Sequence, residues 1–219
     1  MDMNNAPYAD RSEAGKALAE ELAGLSGERP VVVGLPRGGV VVAAEIARRL
    51  ECDLDVIIAG KLRAPYNPEL AIGAVTEDGH AYLNRSIVRD LRIKDDYIEG
   101  EKKDRLKTIS ERLALYRKIK KKVHLKDRTV IIADDGIATG STMISAIQAA
   151  SAEGAKKIIV AIPGGPHDTV ELIKKMPEVS AVICPVTPLD FYAVSQLYMK
   201  FDQVEDQKVV RILKEFAGP

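Results

Sequence analysis

The chain has 219 residues, with 32 Lys plus Arg against 32 Asp plus Glu and a formal net charge of zero. That length can bury a full α/β core without disulfides or structural metals, and the balanced charge supplies no field to draw in a polyanion, so no nucleic-acid partner is expected. The two cysteines, Cys52 and Cys184, show no CxxC spacing and no neighbouring His, which argues against a zinc site and for buried thiols in a reducing compartment.

The opening residues, Met1 to Arg11, are polar, and no run of about 18 apolar residues occurs anywhere. The expectation is a cytoplasmic protein with no membrane span, folded as a single domain over residues 1–219. In chain order, apolar β-branched runs occur at Val31–Leu35, Leu54–Ala59, Thr129–Ala133, Lys157–Ile162 and Ala181–Pro185. Helical periodicity falls between them, at Ser12–Leu25, Val40–Leu50, Ser141–Glu153 and Asp168–Lys175, with Gly154 as a C-cap. Strands apolar throughout and alternating with helices predict a Rossmann-like α/β fold, a parallel sheet of about five strands flanked by helices on both faces.

An insertion at residues 62–126 interrupts that alternation. Its first part, Leu62–Asn84, carries Pro65, Asn67, Pro68, Gly73 and Asp78-Gly79 and reads as a loop followed by a hairpin. Its second part, Ser86–Lys122, repeats Leu106, Ile109, Leu113, Tyr116 and Ile119 at helical steps amid mixed charge, a solvated helix with one packed stripe whose only strongly basic patch is Lys118–Lys122. Residues 186–219 form a small C-terminal hood, closed by an amphipathic helix over Val204–Phe216 with Val209, Val210, Leu213 and Phe216 inward.

The chemistry concentrates in VIIADDGIATGST, Val130 to Thr142, a buried strand running into two carboxylates, a tight loop and a helix. Backbone amides of Gly136 to Thr142, including Ala138 and Gly140, can converge with the hydroxyls of Thr139, Ser141 and Thr142 on a phosphate at the positive end of the helix. Two acids would repel a bare phosphate. Asp134 and Asp135 make sense if the ligand also carries vicinal hydroxyls, and they can orient the water shell of a magnesium ion. The absence of Gly-Lys-Ser/Thr argues against a Walker loop, and Gly34-Leu-Pro-Arg-Gly-Gly39 lacks the dinucleotide spacing.

This segment resembles the 5-phosphoribosyl-1-pyrophosphate (PRPP) signature of type I phosphoribosyltransferases, and is most similar to phosphoribosyltransferase-like chains whose loop reads DDGIATG. The resemblance implies that Asp134 and Asp135 hold the ribose hydroxyls and that Ala138 through Thr142 hold the 5-phosphate. The turn Pro36-Arg37-Gly38-Gly39 resembles the family's pyrophosphate loop, which often contains a strained or cis peptide; Arg37 offers a fork of donors and the glycines let the backbone approach. Lys61, in Gly60-Lys61-Leu62-Arg63 at the end of the second strand, is the second candidate for the pyrophosphate oxygens. The stretch Arg63–Ala74 occupies the place of the family's flexible closing loop, with Arg63, Tyr66 and Glu69 able to enter the site or to remain plain loop residues. Pro185, Pro188, Asp190, Phe191, Tyr192 and Tyr198 are open to two readings, a hood that holds a flat base, with Phe191 or Tyr192 suited to stack on it, or a C-terminal core cluster. His80, His124 and His167 receive no catalytic role.

The implied activity is magnesium-dependent transfer of the phosphoribosyl group to a nitrogen acceptor, a nucleobase, with release of pyrophosphate; Arg37, Lys61, Asp134 and Asp135 carry the catalysis. Relatives usually form homodimers, and that is the expectation here. Family members acting on 6-oxopurines commonly place an acid before the Thr-Gly, where this chain has Ala138, so the loop looks more like the adenine type. A PRPP-sensing regulator and a hydrolase of a phosphorylated sugar are the competing readings.

Overall fold

The structure, a computed structural model, describes residues 6–77 and 79–218. Helix α1 (Arg11–Glu21) is started by Asp10, whose side chain accepts from the Glu13 amide, and leads through a short 3-10 segment to strand β1 (Val31–Gly34). After α2 (Gly38–Leu50) and β2 (Asp53–Val56) come three strands that form a sheet of their own: β3 (Ala59–Ala64), β4 (Asn67–Thr76) and β5 (Ala81–Leu83). Helices α3 (Arg85–Asp90) and α4 (Asp95–Arg117) complete the insertion. The chain then alternates regularly through β6 (Thr129–Ala133), α5 (Ser141–Ala152), β7 (Lys157–Ala161), α6 (His167–Lys174), β8 (Val179–Ile183) and α7 (Asp206–Glu215).

The five predicted apolar runs make one parallel sheet in the order β2-β1-β6-β7-β8. Alternate side chains leave opposite faces of a strand, so a strand apolar throughout needs cover on both sides. Val32, Ile131 and Ile159 pack with Ile46 and Leu50 of α2, whereas Val31, Val33, Val130, Ile132 and Val160 pack with Met143 and Ile147 of α5 and Ile173 of α6. Neighbouring strands β1 and β6 therefore send their following helices to opposite faces. Between their carboxyl ends a crevice opens, the place where open α/β sheets bind ligands.

The insertion differs from its sequence reading in two respects. The run Leu54–Ala59 is not one strand: β2 ends at Val56, and Ala59 already belongs to β3. The expected flexible loop Arg63–Ala74 is the greater part of the antiparallel β3–β4 hairpin, turned at Pro65-Tyr66, with Tyr66 at φ 65 and fully exposed. The hairpin is clamped on two sides. Ser145 of α5 donates to the Ala74 carbonyl at 3.1 Å, and Arg63 donates from both its backbone N and its Nε to Glu101 of α4, at 3.2 and 2.8 Å.

The predicted helix over Ser86–Lys122 is two helices, separated by a turn at Arg92, which has φ 52. Ile109 and Tyr116 of its stripe are buried, and Leu106, Leu113 and Ile119 pack at its margin. Two lysines of the basic patch after α4 are taken up by the fold, whereas Lys118 and Lys121 are exposed. Lys120 donates to the Phe216 carbonyl at 2.6 Å, Lys122 pairs with Glu153 at 2.8 Å, and Arg117 pairs with the buried Asp55 at 2.5 Å. In α7, Val209 and Leu213 are inward as expected; Ile212 is buried too, while Val210 and Phe216 are only partly covered. Among the described residues no helix is long and apolar enough to cross a membrane.

Candidate active site

Two segments meet in the crevice. From β1 the chain passes through Leu35, whose amide donates to the Ala133 carbonyl at 3.0 Å, into Pro36 and Arg37; the peptide between these two is the cis bond of the turn. From β6 it passes directly into Asp134 and Asp135. The two segments touch through glycine. A Cβ on Gly38 would lie 1.9 Å from Oδ2 of Asp135, and one on Gly39 would lie 2.8 Å from Oδ1 of Asp134. No other residue type permits that approach without moving the acids.

The two carboxylates have different surroundings. Asp134 accepts from the Asp135 amide at 2.8 Å. Burial pushes its pKa well above the usual carboxylate range, the charge of Asp135 adds to the rise, and the amide bond and Arg11 only partly oppose it. Asp135 is held by Arg11, whose Nε lies 2.6 Å from Oδ2. The Arg11 guanidinium also donates to the Asp202 carbonyl at 2.8 Å and sits 3.8 Å from the centre of the Phe201 ring. Tyr198 donates its hydroxyl to the Asp135 carbonyl at 2.6 Å, and burial, followed by the charge of Asp135, raises its own pKa.

Beyond the acids, Gly136 to Gly140 arch over the amino end of α5. The Ile137 amide is taken by the Gly164 carbonyl at 3.1 Å, and Thr169 braces the loop by donating to the Ala138 carbonyl at 2.9 Å. Ala138 and Thr139 are exposed, and the Thr139 and Ser141 hydroxyls lie 3.4 Å apart. Thr142, on the first turn of α5, is half-buried. The first-turn amides of an α-helix have no intrahelical acceptor, so this arch can present donors to an anion.

Arg37 stands at the other end of the crevice, 3.5 Å from Glu205 and partly exposed. Lys61 is placed otherwise than its sequence reading: it lies within β3, opposite Ala74 of β4, not at the carboxyl end of a parallel strand. Arg63 is turned to Glu101 on α4, and the side chain of Glu69 lies outside the described residues. Phe191 packs on a small cluster of Tyr8, Ala14, Leu197 and Tyr198, whereas Tyr192 is 83% exposed. His167 opens α6 at the surface.

The sequence matches the phosphoribosyl transferase domain family over residues 9–191. The chain belongs to that family. Its domain is 42% identical to TT1426 of Thermus thermophilus, whose crystal structure superposes with a TM-score of 0.83 over 96% of this chain and 99% of that one. It is also 42% identical, over 206 residues, to two Mycobacterium tuberculosis proteins, from strains CDC 1551 and H37Rv, provisionally named phosphoribosyl transferases. The chain spans about half the length, 46%, of those two relatives, and 94% of its own length is matched.

The fit of a divalent cation to this chain can be judged from the donors that the paired carboxylates offer. Among the described residues no group of three or more His, Cys, Asp or Glu forms a closed metal cage. Two adjacent acids with the ligand's own phosphates are instead the donor set that magnesium prefers, since it retains several waters. The residues present therefore fit magnesium.

The sequence leaves Arg11 unmarked and places Tyr198 only in the C-terminal hood, with neither tied to Asp135. They lie 124 and 63 positions from Asp135, and no local pattern joins them to it.

Proposed function

We propose that this phosphoribosyl transferase domain moves the 5-phosphoribosyl group of PRPP to a nitrogen acceptor, a nucleobase, and releases pyrophosphate. The observation that carries this reading is the contact of the Pro36–Gly39 turn with the Asp134–Asp135 pair at the strand-order reversal. A ligand with hydroxyls on the acids, one phosphate on the arch and a second charged group on Arg37 spans that crevice from end to end.

In this reading Asp134 and Asp135 accept from the ribose hydroxyls. Amides and hydroxyls of Gly136, Ala138, Thr139, Gly140, Ser141 and Thr142 hold the 5-phosphate, and Pro36, Arg37, Gly38 and Gly39 line the pyrophosphate, with Lys61 contributing from the hairpin. The acceptor nitrogen forms its bond to C1 as the bond from C1 to the pyrophosphate oxygen breaks; the electron pair leaves with pyrophosphate and the acceptor's proton passes to solvent. Bound magnesium would neutralise the leaving group's charge, and Asp134 and Asp135 would orient its waters. Positioning and charge stabilisation supply the rate. Ala138 provides no carboxylate beside the acceptor, which favours an adenine-like base over a 6-oxopurine.

Calorimetric titration of PRPP with magnesium into wild type and an Asp134→Asn/Asp135→Asn variant tests the site. Saturable binding in wild type that is lost in the variant supports it, and pyrophosphate release with one of a panel of bases then assigns the acceptor. Folded wild type that binds no PRPP removes the proposal.

A further inference from the structure

Asp135 is a ligand-binding carboxylate in the reading above, yet its position is set by residues outside both site segments. Arg11 reaches it from the first turn of α1 and is itself 9% exposed, so the pair is shielded from solvent. The guanidinium plane is fixed on three sides: Nε on Asp135, Nη1 on the Asp202 carbonyl and one face on Phe201, which stacks in turn on Tyr198 with ring centres 5.2 Å apart. Tyr198 completes the circuit by donating to the Asp135 carbonyl. Only a planar fork serves all these contacts, because Nε and Nη1 point in different directions while the face remains free for a ring.

We propose that Arg11 is a positioning residue for the ribose site: held by Phe201 and Asp202, it fixes Oδ2 of Asp135 and leaves the other carboxylate oxygen free to face the ribose hydroxyls. This rests on the phosphoribosyl-transfer reading. The arrangement makes the C-terminal segment from Tyr198 to Asp202 part of the sugar site, although none of its side chains need touch the sugar. A carboxylate freed of Arg11 would lose the contact that holds Oδ2 in its place beside Gly38.

A double-mutant cycle reads this directly, with PRPP plus magnesium as the calorimetric probe and melting temperature as the control for folding. Arg11→Gln is expected to weaken binding about tenfold in the wild-type background and hardly at all in an Asp135→Asn background, the non-additivity of residues that act through one another. Arg11→Lys, which keeps the charge without the fork, should recover only part of the loss. Pyrophosphate without magnesium, which brings neither a ribose nor the cation whose waters Asp135 would orient, should bind Arg11→Gln as it binds wild type. Should Arg11→Gln not fold, Phe201→Leu reads the same circuit, with a smaller loss that again vanishes beside Asp135→Asn. Equal losses in both backgrounds, or an equal loss for pyrophosphate, would make Arg11 merely structural while the transferase reading stands. Absence of any PRPP binding by folded wild type overturns both.

Discussion

Gly38 and Asp135 are pressed together across the crevice, so closely that a Cβ on Gly38 would fall 1.9 Å from the carboxylate. Gly38→Ala must therefore displace either the first turn of α2 or the acid. Overpacking of this kind costs about 1–3 kcal/mol, and the expected result is a lower melting temperature together with lost PRPP binding. A crystal structure or titration showing an undisturbed site in Gly38→Ala would refute the contact.

Arg37 offers the opposite case, a side chain with little structural duty. Its partner Glu205 is 3.5 Å away and 59% exposed, and exposed pairs of this kind contribute at most about 1 kcal/mol. Arg37→Ala should leave the melting temperature nearly unchanged and weaken magnesium pyrophosphate binding roughly 10- to 100-fold, the usual scale for a hydrogen bond to a charged group. Unaltered pyrophosphate affinity would assign the second phosphate to another cation.

Glu101 ties the hairpin to α4. Burial alone would raise its pKa, but the hydrogen bonds and charge of Arg63, with Arg105 beyond, outweigh burial and hold it below the usual glutamate value. A folded-state pKa below the unfolded one gives stability that is fully present above the ordinary glutamate range and is lost as pH falls through the folded value. Glu101→Gln should accordingly melt below wild type near neutral pH, and the gap should close on acidification below about pH 4. A gap independent of pH would mean that the charge of Glu101 contributes nothing.

Cys52 and Cys184 are half-buried, and burial pushes each thiol up to about 11. At about pH 8 only about one thiol in a thousand is then ionised. Native protein should react slowly with a disulfide reagent and speed up on unfolding; prompt modification of either cysteine in the native state would contradict its burial.

The parallel sheet and the loop that joins β6 to α5 were legible because their signals are local. Buried β-branched runs need no partner to be recognised, and Asp134 to Thr142 is a contiguous stretch. Within Leu62–Asn84 the sequence signals a hairpin, but its first arm reads as a loop. Pro65, Pro68 and Gly73 read as loop residues, but Pro65 sits at the turn and Gly73 lies where a Cβ would meet the Tyr82 carbonyl at 2.0 Å, so the glycine serves strand pairing instead of flexibility. Lys61 was misplaced with it, because Ile57 and Ile58 conceal the break between β2 and β3. The ties of Arg11 and Tyr198 to Asp135 escaped for a different reason: contacts across 124 and 63 residues leave no periodicity to read.

The Arg11 guanidinium joins Asp135 to a carbonyl 191 positions further along the chain than itself. A ribosome delivers those partners in order, first the arginine, then the acid, and the carbonyl only after the sheet's last strand has emerged. All five parallel strands are thus made before the last partner of Arg11 is. The stretch Tyr198 to Asp202 brings the last of Arg11's partners, and a polypeptide interrupted before it would lack the carbonyl and the ring that hold the guanidinium against Asp135.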